Sequence, residues 1–199
     1  MNRLKSLIST GVSDLTPLQG MPLKTLVLTN SKVFDAKPLQ GLPLTTLLLD
    51  STPLADLTGL LGLPLMKLDV SNTKISHLAA LAGMPLEQLS INRTQIKDLS
   101  PLKSMRLAML QMDRVPVTDL KPLSGMTLTY LVISGTEIRD VTPLKGIPLE
   151  RLVLPNAKGL RGLEALKEMR SLREIGYDPD PTIHGQVPAA FWKKIEAGK

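Results

Sequence analysis

The chain has 199 residues, enough for one large core or two small ones, and 43% of them are hydrophobic but only 3% aromatic, so any core is aliphatic. It contains no cysteine, which excludes disulfides, thiolate catalysis and cysteine metal sites. The formal net charge of +6 raises nucleic acid or an anionic surface as a partner. The charge is dispersed, however. Residues 1–145 carry 15 Lys/Arg against 11 Asp/Glu, residues 146–199 carry 9 against 7, and Lys193-Lys194 is the longest basic run. A mildly basic, solvated surface accounts for this balance better than a nucleic-acid groove does.

The first residues, MNRLKSLISTGVSDL, hold no apolar stretch long enough for a signal peptide or a spanning helix, so a cytoplasmic location with no membrane contact is expected. Counted back from the units that follow, Lys5 falls where a core leucine belongs and Leu7 matches the next apolar column. The opening unit is expected to be partial.

From Gly20 onward the sequence repeats. Gly20, Gly41, Gly62, Gly83, Gly125 and Gly146 lie on one 21-residue ladder, with Ser104 on the remaining rung. Three residues after each rung comes Leu23, Leu44, Leu65, Leu86, Leu107, Leu128 or Leu149. Leu26, Leu47, Leu68, Leu89, Leu110, Leu131 and Leu152 follow, and then Leu28, Leu49, Val70, Ile91, Met112, Ile133 and Leu154. L-x-x-L-x-L is thus written seven times in register without an insertion. Alternation in L-x-L predicts one short strand per unit, leucines inward, each pairing in parallel with the next.

The rest of each unit must return the chain. A Ser/Thr column (Thr10, Ser31, Thr52, Thr73, Thr94, Thr136) suits hydroxyl-to-backbone bonds at the bend; Val115 and Ala157 break it. An aliphatic column follows at Val12, Val33, Leu54, Ile75, Ile96, Val117 and Ile138. Next come Asp14, Asp35, Asp56, Asp98, Asp119 and Asp140, with His77 as the exception. A Pro-Leu pair stands three residues after most of these aspartates. Proline argues against a long helix there and for a single 3₁₀ turn or extended chain, with the carboxylate capping exposed N–H groups. A back this thin stacks at nearly the spacing of strands, so the arc is expected to be shallow, about 35–40 Å long for eight units.

Near Lys158-Gly159 the register slips. Leu160, Leu163, Leu166 and Met169 read as an amphipathic helix, Leu172 and Ile175 as a last edge strand, and 176–187 as a Pro/Gly/Asp loop. Pro188 opens a final short helix in which Phe191, Trp192 and Ile195 share a side. Trp192 is the chain's one tryptophan and is expected to seal the last unit, with partner anchoring as its other reading. The expected division is 1–175 for the repeats, as seven full units plus partial ends, and 176–199 for a capping loop and helix.

These columns resemble the coils of bacterial leucine-rich-repeat proteins of the internalin-like kind, which carry L-x-x-L-x-L followed by I-x-D-x-x-P-L. The Gly-Met-Pro-Leu wording and the Ala-Ala-Phe-Trp-Lys ending at 189–193 look like repeat arrays often found C-terminal to a serine/threonine protein kinase domain. The resemblance implies an α/β-type leucine-rich-repeat solenoid, with a parallel sheet on its concave face, a 3₁₀ or extended convex side and a helical C-terminal cap. It also implies the recognition segment of a larger bacterial signalling protein. The 21-residue unit and Thr where such coils place Asn depart from internalins and weigh against host-cell adhesion.

No phosphate loop, dinucleotide fingerprint, zinc-protease motif or kinase catalytic set is present. The two histidines, His77 and His184, lie far apart in turn and loop. No catalytic residue, metal ligand or cofactor is assigned, and the chain is not read as an enzyme. What varies from unit to unit is the set of residues between the leucines, which face outward. One row reads Thr25, Thr46, Lys67, Gln88, Met109, Tyr130 and Arg151. The next reads Val27, Leu48, Asp69, Ser90, Gln111, Val132 and Val153. A third reads Thr29, Asp50, Ser71, Asn92, Asp113, Ser134 and Pro155. Structural columns repeat; these do not. The expected function is a protein-protein interaction module, partner unidentified, with Lys67, Asp69, Gln88, Arg93, Gln111, Asp113, Arg114 and Tyr130 as candidate contacts. Stacking through the solenoid ends is the alternative, and binding to nucleic acid or an anionic surface a weaker one. The chain itself is expected to be a monomer or to self-associate weakly.

Overall fold

The computed structural model describes residues 6–9, 11–156, 159–177 and 187–197. Nine strands run through it: β1 (Ser6–Ile8), β2 (Thr25–Val27), β3 (Thr46–Leu48), β4 (Lys67–Asp69), β5 (Gln88–Ser90), β6 (Met109–Gln111), β7 (Tyr130–Val132), β8 (Arg151–Leu154) and β9 (Glu174–Tyr177). They form one sheet in sequence order, every neighbouring pair parallel. From β2 to β8 each residue pairs with the one 21 positions on, as Leu26 with Leu47 and Leu110 with Leu131. The sequence ladder is therefore the hydrogen-bonding register.

The first unit is the exception. Leu7 pairs with Leu26, an offset of 19 residues, and not with the Leu28 column. The sequence expectation for Leu7 is thereby corrected. A bend two residues shorter slides Leu7 into the rung that a strict 21-residue count assigns to Lys5, which lies outside the described residues. The slip keeps an aliphatic side chain over the core.

On the back, single 3₁₀ turns at Thr16–Leu18, Lys37–Leu39, Thr58–Leu60, Ala79–Leu81, Ser100–Leu102, Lys121–Leu123 and Thr142–Leu144 carry the chain past the core. The aspartates act on these turns as expected. Asp14 Oδ1 accepts the Thr16 N–H at 2.8 Å, and Asp35, Asp56, Asp98, Asp119 and Asp140 accept the N–H two residues on at 2.8–3.0 Å. Thr52, Thr73, Thr94 and Thr136 are buried, and each hydroxyl donates to the carbonyl three residues back at 2.6–2.7 Å. The ladder glycines take φ of 72–81°, and Ser104 takes the same left-handed region at 67°. Only glycine adopts that backbone without side-chain cost.

Two further buried columns complete the core. Leu15, Ala36, Leu57, Leu78, Leu99, Leu120 and Val141 follow the aspartate positions, and Leu42, Leu63, Met84, Met105, Met126 and Ile147 follow the glycine rungs. Met84, Met105 and Met126 are thus core residues, and Met21 packs partly buried against the core. Flexible thioethers fill the uneven space between strand and turn.

The C-terminal helix α1 spans only Leu163–Lys167, shorter than the Leu160–Met169 pattern suggests. Gly162 at φ 84° opens it, and a Cβ there would lie 2.5 Å from the Thr142 nitrogen, so the chain passes too close to the preceding unit for an earlier start. The last strand, β9, straddles the 175/176 boundary drawn from the sequence. Helix α2 (Pro188–Ala197) then lies against β9. Phe191 is buried with its ring 5.0 Å from that of Tyr177, and Trp192 meets Phe191 edge-on at 5.0 Å. Lys167 Nζ, 2.5 Å from Glu196 Oε1, ties α1 to α2. Most of the loop expected at 176–187 lies outside the described residues, as do Thr10, Ala157, Lys158 and His184.

Candidate functional site

The sheet has one face in the core and one in solvent, because each of β2 to β7 buries its central leucine and turns its flanking residues outward. Strand register aligns the flanking residues into rows. The row Ile8, Val27, Leu48, Asp69, Ser90, Gln111, Val132, Val153 changes from apolar to polar and back to apolar. Beside it runs Ser6, Thr25, Thr46, Lys67, Gln88, Met109, Tyr130, Arg151, Glu174.

Several of these side chains are joined across strands. Ser90 Oγ donates to Gln111 Oε1 at 3.0 Å, and Gln111 Nε2 lies 3.5 Å from the Tyr130 hydroxyl. The Arg151 guanidinium sits 5.1 Å from the Tyr130 ring centre, and its Nε is 2.8 Å from Glu174 Oε2. A connected polar strip thus runs over β5 to β9 with its rotamers already restrained. Such restraint lowers the entropy lost when a partner binds.

The third row, read from sequence as free, is in fact stitched between units. Thr29 Oγ1 donates to Asp50 at 2.6 Å, Asn92 Oδ1 accepts the Asp113 N–H at 2.8 Å, and Ser134 Oγ donates to Asp113 at 2.8 Å. This row stabilises stacking first: Ser71, Ser134 and Pro155 are buried, and Thr29, Asp50, Asn92 and Asp113 reach solvent only in part.

The structure divides the eight candidates into groups. Gln111 and Tyr130 belong to the polar strip, and Gln88 stands beside them in the row of Tyr130. Lys67 is exposed on β4, while Asp69 Oδ1 accepts the Ser71 N–H at 2.9 Å. Arg93, Asp113 and Arg114 converge at the C-terminal rim of the strands, each arginine Nε within 3.9 Å of Asp113 Oδ2.

One feature escapes sequence reasoning. A groove of about 740 Å³ opens along the flank of the units at β5 and β6, lined by Met84, Glu87, Lys103, Ser104, Met105, Arg106 and Ala108 among others. Its signal is present as departures from the repeat: Ser104 for glycine, and Arg106 where most units carry proline. His77 is exposed on the back, its Nδ1 2.8 Å from Ser76 Oγ. Among the described residues no three His, Asp or Glu side chains converge as metal ligands, and no helix is long and apolar enough to cross a membrane.

Solved structures share this arrangement. Internalin C2 from Listeria monocytogenes str. 4b F2365 superposes with a TM-score of 0.77 at 26% identity, covering 87% of this chain and 80% of its own. The chain is a leucine-rich-repeat solenoid with internalin-like coils. Internalin InlF of the same strain matches this solenoid at TM-score 0.55 and 20% identity, over 88% of this chain and 74% of that one. The functional domain of InlJ from Listeria monocytogenes, which includes a cysteine ladder, matches at 0.51 and 20%, over 87% of this chain and 49% of that one. The solenoid here reaches the same fold with a Ser/Thr column and no cysteine. No family model and no curated protein sequence matches the chain.

Proposed function

We propose that the solenoid is a protein-interaction module whose solvent-facing sheet surface binds a protein partner through Lys67, Gln88, Gln111 and Tyr130, with Arg93, Asp113 and Arg114 at the rim. One observation carries this reading. Core and turn columns repeat from coil to coil, whereas the outward rows change chemistry at nearly every coil. Stacking occupies the third row but does not require the two rows flanking the central leucines to differ from coil to coil, and a non-repeating partner needs such variety. Internalin-like coils support the reading by likeness of fold. The wider reading, a recognition segment within a cytoplasmic bacterial signalling protein, is supported by the sequence resemblance.

The test is capture from the source lysate by the wild-type chain and by a Gln88→Ala, Gln111→Ala, Tyr130→Ala variant of matching circular dichroism, with crosslinks mapped onto the chain. The reading expects a partner crosslinked to the sheet face and lost from the variant. Equal capture by both proteins, or crosslinks confined to the 3₁₀ side, would overturn it.

A second reading, self-association through the strand edge, has its own observation: Ile8 on β1 is 73% exposed, while the far end is covered by α2. Sedimentation across a concentration series separates it, since only self-association makes the coefficient rise with concentration. Binding to nucleic acid would show instead as capture that falls steeply with salt.

A further inference from the structure

The turn after each of β2 to β7 contains one residue in the left-handed backbone region: Asn30, Ser51, Asn72, Arg93, Arg114 and Gly135, with φ from 52° to 61°. The conformation is fixed by stacking. The N–H of Arg93 donates to the Asp113 carbonyl and that of Arg114 to the Ser134 carbonyl, both at 2.8 Å, as Asn72 does to Asn92. Asparagine and glycine tolerate this backbone; a long side chain without a local hydrogen bond is disfavoured there. Two adjacent coils nevertheless place arginine at this position. Strained residues that the surroundings hold in place are found preferentially at binding sites.

Both arginines turn to one carboxylate. Arg93 Nε lies 3.8 Å and Arg114 Nε 3.9 Å from Asp113 Oδ2. Those separations are too long for hydrogen bonds, so the guanidinium donors are not consumed by Asp113. Asp113 itself is steadied by Ser134 Oγ at 2.8 Å. The next coil also makes room. A Cβ on Gly135 would fall 2.5 Å from Arg114 Cγ, so that glycine leaves the space over which Arg114 lies. Both arginine side chains stay about half exposed, 53% and 49%.

We propose that Arg93 and Arg114 form a guanidinium clamp, aligned by Asp113, for a carboxylate in an acidic peptide segment of the partner. The inference rests on the reading that the sheet face binds protein. Charge selects the occupant. Two guanidinium groups around one carboxylate leave a single net positive charge, which matches one further carboxylate. One carboxylate neutralises the site, whereas a phosphate dianion would leave it with a net negative charge beside Asp113. Guanidinium donors are matched in geometry to a carboxylate. The two arginines are then kept for binding at a cost to stability, a trade found at functional sites.

The test uses a display library of random peptides, selected on the intact wild-type chain and titrated against two variants. One is Arg93→Asn with Arg114→Asn, which copies Asn30 and Asn72 in the same column. The other is the Gln88, Gln111, Tyr130 triple alanine. The clamp predicts binders enriched in Asp and Glu that weaken about 10–100-fold against the asparagine variant, the size of losing charge-assisted hydrogen bonds. They should weaken similarly when their acidic residues become Gln or Asn. The same variant should melt about 2–4 °C higher, because backbone strain is relieved. Binders lost from the triple alanine but unaffected by the asparagine variant would overturn the clamp and leave the face reading standing. Binders indifferent to both variants, or no binders at all, would overturn both. A lower melting temperature for the asparagine variant would show that the arginines serve stacking, and would overturn the clamp as well.

Discussion

Removing one central leucine tests the architecture most directly. Leu110 is fully buried in β6, with Leu89 and Leu131 on either side in the ladder. Leu110→Ala deletes three carbons, worth about 2.4 kcal/mol at about 0.8 kcal/mol each. The neighbouring strands are held by parallel hydrogen bonds and cannot close over the gap. A residual void of about 50 Å³ adds about 1.2 kcal/mol at about 24 cal/mol per Å³. The expected loss is therefore about 3–4 kcal/mol, seen as a fall in melting temperature of roughly 10 °C for a chain of this size. Leu7→Ala provides the internal comparison, because Leu7 is only partly buried and its strand, β1, ends the described sheet. It should cost less than half as much. Urea unfolding followed by circular dichroism measures both. A loss under about 1 kcal/mol at Leu110, or equal losses at the two positions, would refute the register and with it the placement of every outward-facing residue.

Gly59 probes the back of the solenoid. A Cβ there would lie 2.3 Å from the Ala36 carbonyl carbon and 2.5 Å from the Lys37 nitrogen, both backbone, so Gly59→Ala should cost about 1–3 kcal/mol by overpacking. A neutral thermal melt would show that the neighbouring turn yields freely. The aspartate turns set an acid limit. Asp14, Asp56, Asp98 and Asp140 are held below the usual 3.8 first by the side-chain hydroxyls of Thr16, Thr58, Ser100 and Thr142, and then by the N–H groups of the same residues. The folded state thus favours their ionised forms. Their contribution is complete above about pH 4 and is lost as pH falls through the lowered folded values. Converting all four to asparagine, which keeps an acceptor oxygen but not the charge, should flatten the decline of melting temperature below pH 4 and lower the neutral value modestly. Superimposable acid limbs for the two proteins would contradict this.

How much is legible in the sequence depends on whether a residue serves the repeat. Leu26, Thr94 and Asp98 recur because every coil poses the same packing, hydroxyl and turn problem, so their spacing alone reveals strand, bend and cap. A count with constant period misplaces Leu7, because the first bend is two residues shorter; only strand pairing shows which apolar residue faces the core. The leucine rhythm overextends α1, because it does not register the close approach of Gly162 to Thr142. The outward rows are legible as rows, since alternation fixes direction. Their partnerships are not, because Thr29 with Asp50 and Ser134 with Asp113 are contacts between coils whose residue types differ at each level.

The arginine pair shows why departures from a repeat carry more functional information than the repeat itself. At Asn30, Asn72 and Gly135 the residue is what the left-handed backbone favours, and nothing further needs explaining. At Arg93 and Arg114 the same backbone is imposed on a residue it disfavours, and both side chains point to one charge. In a sequence window these are two surface arginines among 24 basic residues. They become a site only when stacking brings them to adjacent levels of one column, which shows that the backbone gains nothing from them.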